Sequence, residues 1–264
     1  MADLPAYEAA PPPLNAPSSG PSCQVPRSRP QPQPQAESEY PAQPSSQGGR
    51  RSPAYPQTSR IPATPIPGGG VTQEDLEYVA THRPIHSEQG LATWYTAPYK
   101  GRRTASGQVF RDSAMTAAHR TLPMGSLVVV TNLRTGESSP MRIDDRGPFV
   151  DGRIVDLTIA AAKATGVFRV GTAQVRVDVY QTPKPINHGG RWCVQIGAFT
   201  NEHQALRLKS KLMSAYPDAQ VIEFPGEASY WVRIRPQGDD RQMSEYIAQH
   251  LRPAEGEAFL TRLD

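Results

Sequence analysis

Thr104-Ala-Ser-Gly-Gln-Val-Phe110 and Arg142-Ile-Asp-Asp-Arg-Gly-Pro-Phe149 are two loop-forming runs set among strand-forming sequence. Around them, Leu91–Tyr95, Leu127–Thr131, Ser139–Ile143 and Gln174–Tyr180 show the alternation or β-branched density of strands. Arg134-Thr-Gly-Glu137 is a tight turn, which makes Val128 to Ile143 a hairpin. One helical segment, Thr158–Thr165, is closed by Gly166 in a C-cap position. Several short strands with one helix predict a small closed barrel, because closure removes exposed sheet edges.

Outward from this stretch the composition changes twice. Thr182-Pro-Lys-Pro185 and His188-Gly-Gly190 form a short linker, residues 182–190. Beyond it, 191–264 reads as strand (Trp192–Phe199), helix (Asn201–Tyr216), strands (Gln220–Phe224 and Tyr230–Arg235, with Gly226 in the turn), helix (Met243–Leu251) and strand (Ala258–Arg262). Ala205, Leu208, Leu212 and Tyr216 make an apolar stripe on the first helix. This β-α-β-β-α-β order predicts an α+β, ferredoxin-like unit. Toward the N-terminus, 71–87 holds a short helix near Thr72–Ala80, capped by Thr72, and a connector. Residues 1–70 are rich in Pro, Gln, Ser and Ala; 17 of the chain's 28 prolines precede Gly68. Such sequence buries too little apolar surface to offset chain entropy, so it is expected to be a disordered tether.

A formal net charge of +3 gives no polybasic field for nucleic acid. No run reaches the roughly 20 apolar residues of a membrane span, and the first residues show no signal peptide. Cys23 follows Gly20-Pro-Ser, a poor lipidation signal. Cys193 lies in an apolar run, where a free thiol acts as a small hydrophobe. The six histidines are scattered, so neither a metal site nor any cofactor is expected.

The two opening runs, with Trp94-Tyr95, Thr116-Ala-Ala-His-Arg-Thr-Leu-Pro123, Val130-Thr-Asn-Leu133 and Gly152-Arg-Ile-Val-Asp-Leu157, resemble the double-psi β-barrel domain of the rare lipoprotein A family across residues 88–181. Those proteins are septal peptidoglycan lytic transglycosylases. Val194-Gln-Ile-Gly-Ala-Phe199 and Trp231-Val-Arg-Ile-Arg235 resemble a SPOR domain, which binds glycan strands stripped of stem peptides. The resemblance implies cleavage of MurNAc–GlcNAc bonds with 1,6-anhydro products and a place in the cell envelope, at the septum. It also implies peptidoglycan strands and divisome proteins as partners, with Cys23 as a candidate lipid anchor.

Asp145 matches the Asp of the family's Asn-Asp-Arg-Gly-Pro-Phe run and is the candidate acid and base, provided its environment raises its pKa. Asp144 replaces the family's Asn. Gln108 stands where the family has Glu, and a carboxamide transfers no proton. His119 aligns with the barrel-groove histidine, to orient Asp145 or touch the sugar; a structural role carries equal weight. Asp156 is expected to be structural. Trp94, Tyr95, Asn132 and Arg146 in the barrel, and Gln195, Trp231 and Arg233 in the second domain, are the expected substrate contacts. Because of Gln108, the alternative is a weak or inactive glycan-binding, wall-loosening protein, as expansins with a related barrel are. A hydrolase or endopeptidase lacks a Cys-His or Ser-His motif in a plausible context.

Overall fold

The computed structural model describes residues 70–95, 101–225 and 230–264, without the side chains of Phe224 and Pro225. The predicted tether over 1–70, Gly70 excepted, Cys23 and the turn residue Gly226 lie outside the described residues.

Helix α1, Gln73–Thr81, starts where the sequence places it, with a capping box. Thr72 Oγ1 accepts from Asp75 N at 3.2 Å, and Asp75 Oδ2 accepts from Thr72 N at 2.9 Å. The same carboxylate takes two guanidinium bonds from Arg142, at 3.2 and 2.5 Å, which fasten α1 to the barrel.

Six strands close the barrel: β1 His86–Trp94, β2 Thr116–His119, β3 Leu127–Asn132, β4 Ser138–Asp145, β5 Arg153–Leu157 and β6 Ala173–Gln181, in the order β1-β5-β2-β4-β3-β6. The β3–β4 hairpin is the predicted one, and its strands pair antiparallel from Leu127–Arg142 to Thr131–Ser138. β2 runs parallel to β4, and β1 parallel to β5. The interior is filled by alternate residues, among them Ala92, Ala117, Val128, Val130, Ile143, Val155, Leu157 and Val177, all fully buried. Strand period 2 thus assigns one set to the core and the other to the outer wall. Truncating Leu157 to Ala inside this core would cost about 2–5 kcal/mol.

Helix α2, Ile159–Ala164, is capped by Thr158 and stopped by Gly166 at φ 69°. The positive φ is what favours glycine at 166; a Cβ there would meet only the end of the exposed Glu137 side chain, which can swing aside. A short α3, Val167–Val170, follows it.

The second domain has β7 Trp192–Phe199, α4 Glu202–Ala215, β8 Gln220–Pro225, β9 Tyr230–Arg235, α5 Arg241–His250 and β10 Glu257–Arg262, with sheet order β10-β7-β9-β8. This is the ferredoxin-like arrangement read from the sequence. Both helices cover one face, packing on Val194, Ile196, Val221, Val232 and Ile234 through Ala205, Leu208, Leu212 and Ile247. The register puts Cys193, Gln195, Arg233, Trp231, Phe259 and Thr261 on the other face. That face does not meet solvent throughout. Barrel and second domain belong to one compact unit, and Cys193, Gln195, Phe259 and Thr261 are all buried.

Arg146 supplies much of the seam between the two. Its Nε donates to Arg262 O at 2.5 Å and its Nη2 to Asp264 O at 2.8 Å, while Nη1 reaches His119 O and Leu122 O at 3.0 and 2.8 Å. Phe149 sits between Trp231 and Phe259, with ring centroids 5.5 and 5.9 Å away. The Arg120 guanidinium lies 5.3 Å over the Phe259 ring.

Candidate active site

Register brings four residues from four strands into one row: Thr93 on β1, Asp156 on β5, Ala118 on β2 and Asp145 on β4. Neighbouring strands lie about 4.8 Å apart, so the two carboxylates flank Ala118 at about twice that spacing. The β2–β4 register slips beside Ala118, which brings Asp145 rather than Asp144 opposite it. Ala118 leaves the space between the acids free of a large side chain.

Asp145 is half-buried at the end of β4. Its Oδ1 accepts from Ala105 N at 2.9 Å and Arg146 N at 2.8 Å. Burial pushes its pKa above the usual carboxylate range. The two N–H donors and the Arg146 charge pull against that rise, and Asp156 adds to it. Asp144 is more deeply buried, at 7 % exposure. Burial first, then the charge on Asp145, carry its pKa up to about 7, and its Oδ1 has no hydrogen-bond partner among the described residues. Asp144, which stands where the family has Asn, is thus coupled electrostatically to its neighbour Asp145.

The Thr104–Gln108 run folds over this pair. Thr104 N donates to Gln108 O at 2.8 Å, Ser106 N donates to Asp144 O at 3.0 Å, and Arg103 bridges Val109. Gln108 stands exposed on that loop. Asp156 is held by Thr93 Oγ1 at 2.5 Å and by both contacts of Arg153 Nη2, at 2.6 and 2.7 Å.

His119 is 3 % exposed. Its Nδ1 accepts from Thr121 N and Leu122 N at 3.2 and 3.1 Å, which assigns the proton to Nε2, 2.8 Å from Glu88 Oε1. With both ring nitrogens engaged, His119 orients the β2–β3 turn and not Asp145. Glu88 was invisible in the sequence: a lone acid near the start of a strand carries no motif. Only the fold places it against a histidine 31 positions away.

Several expected substrate contacts are corrected by burial. Asn132 is fully buried, donating to Thr165 O at 3.0 Å and accepting from Arg134 N and Thr135 N, so it staples the hairpin turn. Arg146 is spent on the seam carbonyls described above. Gln195, at 5 % exposure, accepts from Arg233 Nη2 at 2.8 Å. Trp94 packs against Phe168 and Tyr95 against Phe110, with centroids 4.9 and 4.8 Å apart, each half-buried. Trp231 and Arg233 remain half-exposed on the sheet face opposite Tyr230 and Val232. Among the described residues, no group of His, Cys, Asp and Glu could hold a metal ion, and no helix is long and apolar enough to cross a membrane.

Residues 87–177 match a family described as lytic transglycolase, and residues 188–262 match the SPOR domain. Over these two domains the chain is similar to the rare lipoprotein A family. Its barrel is the double-psi domain of that family and its βαββαβ unit the SPOR domain. It is 52% identical over 92 residues to a probable endolytic peptidoglycan transglycosylase RlpA of Synechocystis sp., covering 35% of this chain and 29% of that one. It is 48% identical over 99 residues to the endolytic peptidoglycan transglycosylase RlpA of Vibrio cholerae, 38% of each chain. The Haemophilus influenzae protein of that name is 34% identical over 165 residues, 61% of this chain and 58% of its own. The match thus spans between 29% and 58% of these curated relatives' lengths.

Proposed function

We propose that this protein is an endolytic peptidoglycan lytic transglycosylase of the cell envelope, acting on denuded glycan at the division septum. The observation that carries the reading is Asp145: a carboxyl of raised pKa, held by backbone N–H groups and facing a second carboxylate across Ala118. In the reaction, Asp145 gives its proton to the glycosidic oxygen and the C1–O bond to the MurNAc ring breaks. The C6 hydroxyl oxygen of the same ring then bonds to C1, and its proton returns to Asp145. No water is consumed, and the product ends in a 1,6-anhydro sugar. Asp156, held by Arg153 and Thr93, is the second carboxylate beside the oxocarbenium-like centre. The activity for which the relatives above are named supports the same reading.

A second reading rests on Gln108. With a carboxamide exposed where the family carries Glu, the chain would be a glycan-binding protein with little turnover. Mass spectrometry of purified denuded glycan after incubation separates the two. Slow release of 1,6-anhydro-ended fragments, abolished by Asp145→Asn, is expected. Reducing-end sugars alone, or no product at high protein concentration, would remove the enzyme reading.

A further inference from the structure

The sheet face that the sequence marks for glycan is half covered by the barrel, yet the cover is incomplete in a patterned way. On the β7–β10 side, Cys193, Gln195, Phe259 and Thr261 are buried beneath Arg120, Arg146 and Phe149. On the β8–β9 side, Trp231 and Arg233 stay half-exposed, and Ile222 is 37% exposed. The β8–β9 register sets Ile222 opposite Arg233, hence diagonal to Trp231 on this face. Across the seam, Phe149 is half-exposed and its neighbour Val150 is 49% exposed. Phe149, Trp231 and Ile222 therefore line an apolar strip that crosses from one domain to the other, with Val150 exposed next to Phe149 in sequence and Phe149 four residues from Asp145.

The crossing is fixed. Separating the domains would strip Arg146 of two carbonyl partners, and would break the bond from Arg262 N to Arg120 O at 2.9 Å. Buried polar groups left unpaired in this way are costly. A ligand on the sheet thus meets the barrel wall beside it and not a free sheet.

We propose that the Phe149–Trp231 seam is a carbohydrate subsite built from both domains, so that a single glycan strand runs from Asp145 across the seam onto the β8–β9 half of the sheet. Aromatic faces beside apolar edges suit the C–H faces of pyranose rings, and Arg233, two residues beyond Trp231, stands on the same face for the lactyl carboxylate that a denuded MurNAc exposes. The proposal rests on the glycan reading above but not on turnover.

The test uses the full chain carrying Asp145→Asn, titrated calorimetrically with a ladder of N-acetylglucosamine oligomers. Affinity should rise with oligomer length, and Trp231→Ala should cut it about five- to tenfold for long oligomers and little for short ones. Trp231→Tyr should restore most of the loss. Val150→Ser, on the exposed rim, should weaken long-oligomer binding with an unchanged melting temperature. Equal affinity for long and short oligomers, or unchanged or higher affinity in both Trp231→Ala and Val150→Ser, would overturn the seam subsite. Oligomer binding that depends on Trp231, in a protein that releases no anhydro product, would uphold the seam while removing the enzyme reading.

Discussion

Ala105 N donates to Asp145 Oδ1 at 2.9 Å, a bond between two motifs 40 residues apart in sequence. It docks the Thr104–Gln108 loop on the candidate acid, so position 108 is presented from a loop already anchored at the Asp145 carboxyl. Replacing Gln108 by Glu adds a titratable group there with almost no change in volume. Turnover of denuded glycan should rise by roughly 10²–10⁴-fold, the range of general acid–base catalysis. An unchanged rate of anhydro-product release would assign position 108 to sugar binding alone.

Asp144 controls a pH-dependent part of the stability. Its carboxyl moves from an ordinary 3.8 to about 7 on folding, so the folded state holds a proton that the unfolded state has released. Stability therefore falls as pH rises between about 4 and 7, reaching a penalty of about 4 kcal/mol at most above that window. Asp144→Asn should raise the melting temperature at pH 8, by about 2–4 °C per kcal/mol recovered, and leave it unchanged near pH 4. Equal gains at both pH values would show that the carboxyl titrates normally.

His119→Ala should act on stability before chemistry. It leaves the N–H groups of Thr121 and Leu122 without their acceptor and removes the partner of Glu88. A loss of about 3 kcal/mol in denaturant unfolding is expected. A variant that unfolds like the wild type yet releases no product would return His119 to the catalytic group.

Arg146→Lys tests the coupling of the two domains. A lysine carries the charge but not the planar fork that serves four carbonyls at once. Calorimetry should show the single wild-type transition broadening or splitting into two. One sharp transition at the original temperature would mean that the aromatic contacts of Phe149 suffice.

The long strands β3 and β6 announced themselves by β-branched alternation, and α4 by its apolar stripe. β2 did not read as a strand, because Thr116–His119 is short and buried throughout and has no polar face to set a period. The motif residues Asp145 and Gln108 were legible as members of a loop pattern. The row linking Asp145 to Asp156 was not, since it depends on a register slip between β2 and β4. Asn132, Arg146 and Gln195 looked like ligand contacts because polar residues beside motifs usually face solvent. Each is instead consumed by carbonyl, turn or side-chain partners that only tertiary structure supplies. The seam had no sequence signature, because it joins residues as distant as Arg146 and Asp264.

Cys193 gives this architecture a built-in clock. Its thiol is fully buried on the sheet face beside Arg146, and burial pushes its pKa up to about 11, so in the closed arrangement it is inert to alkylation. With Cys23 replaced by Ser, the rate at which iodoacetamide or a maleimide consumes the remaining thiol would count how often the two domains part. The ratio of that rate to the one in denaturant gives the fraction of molecules open at any instant.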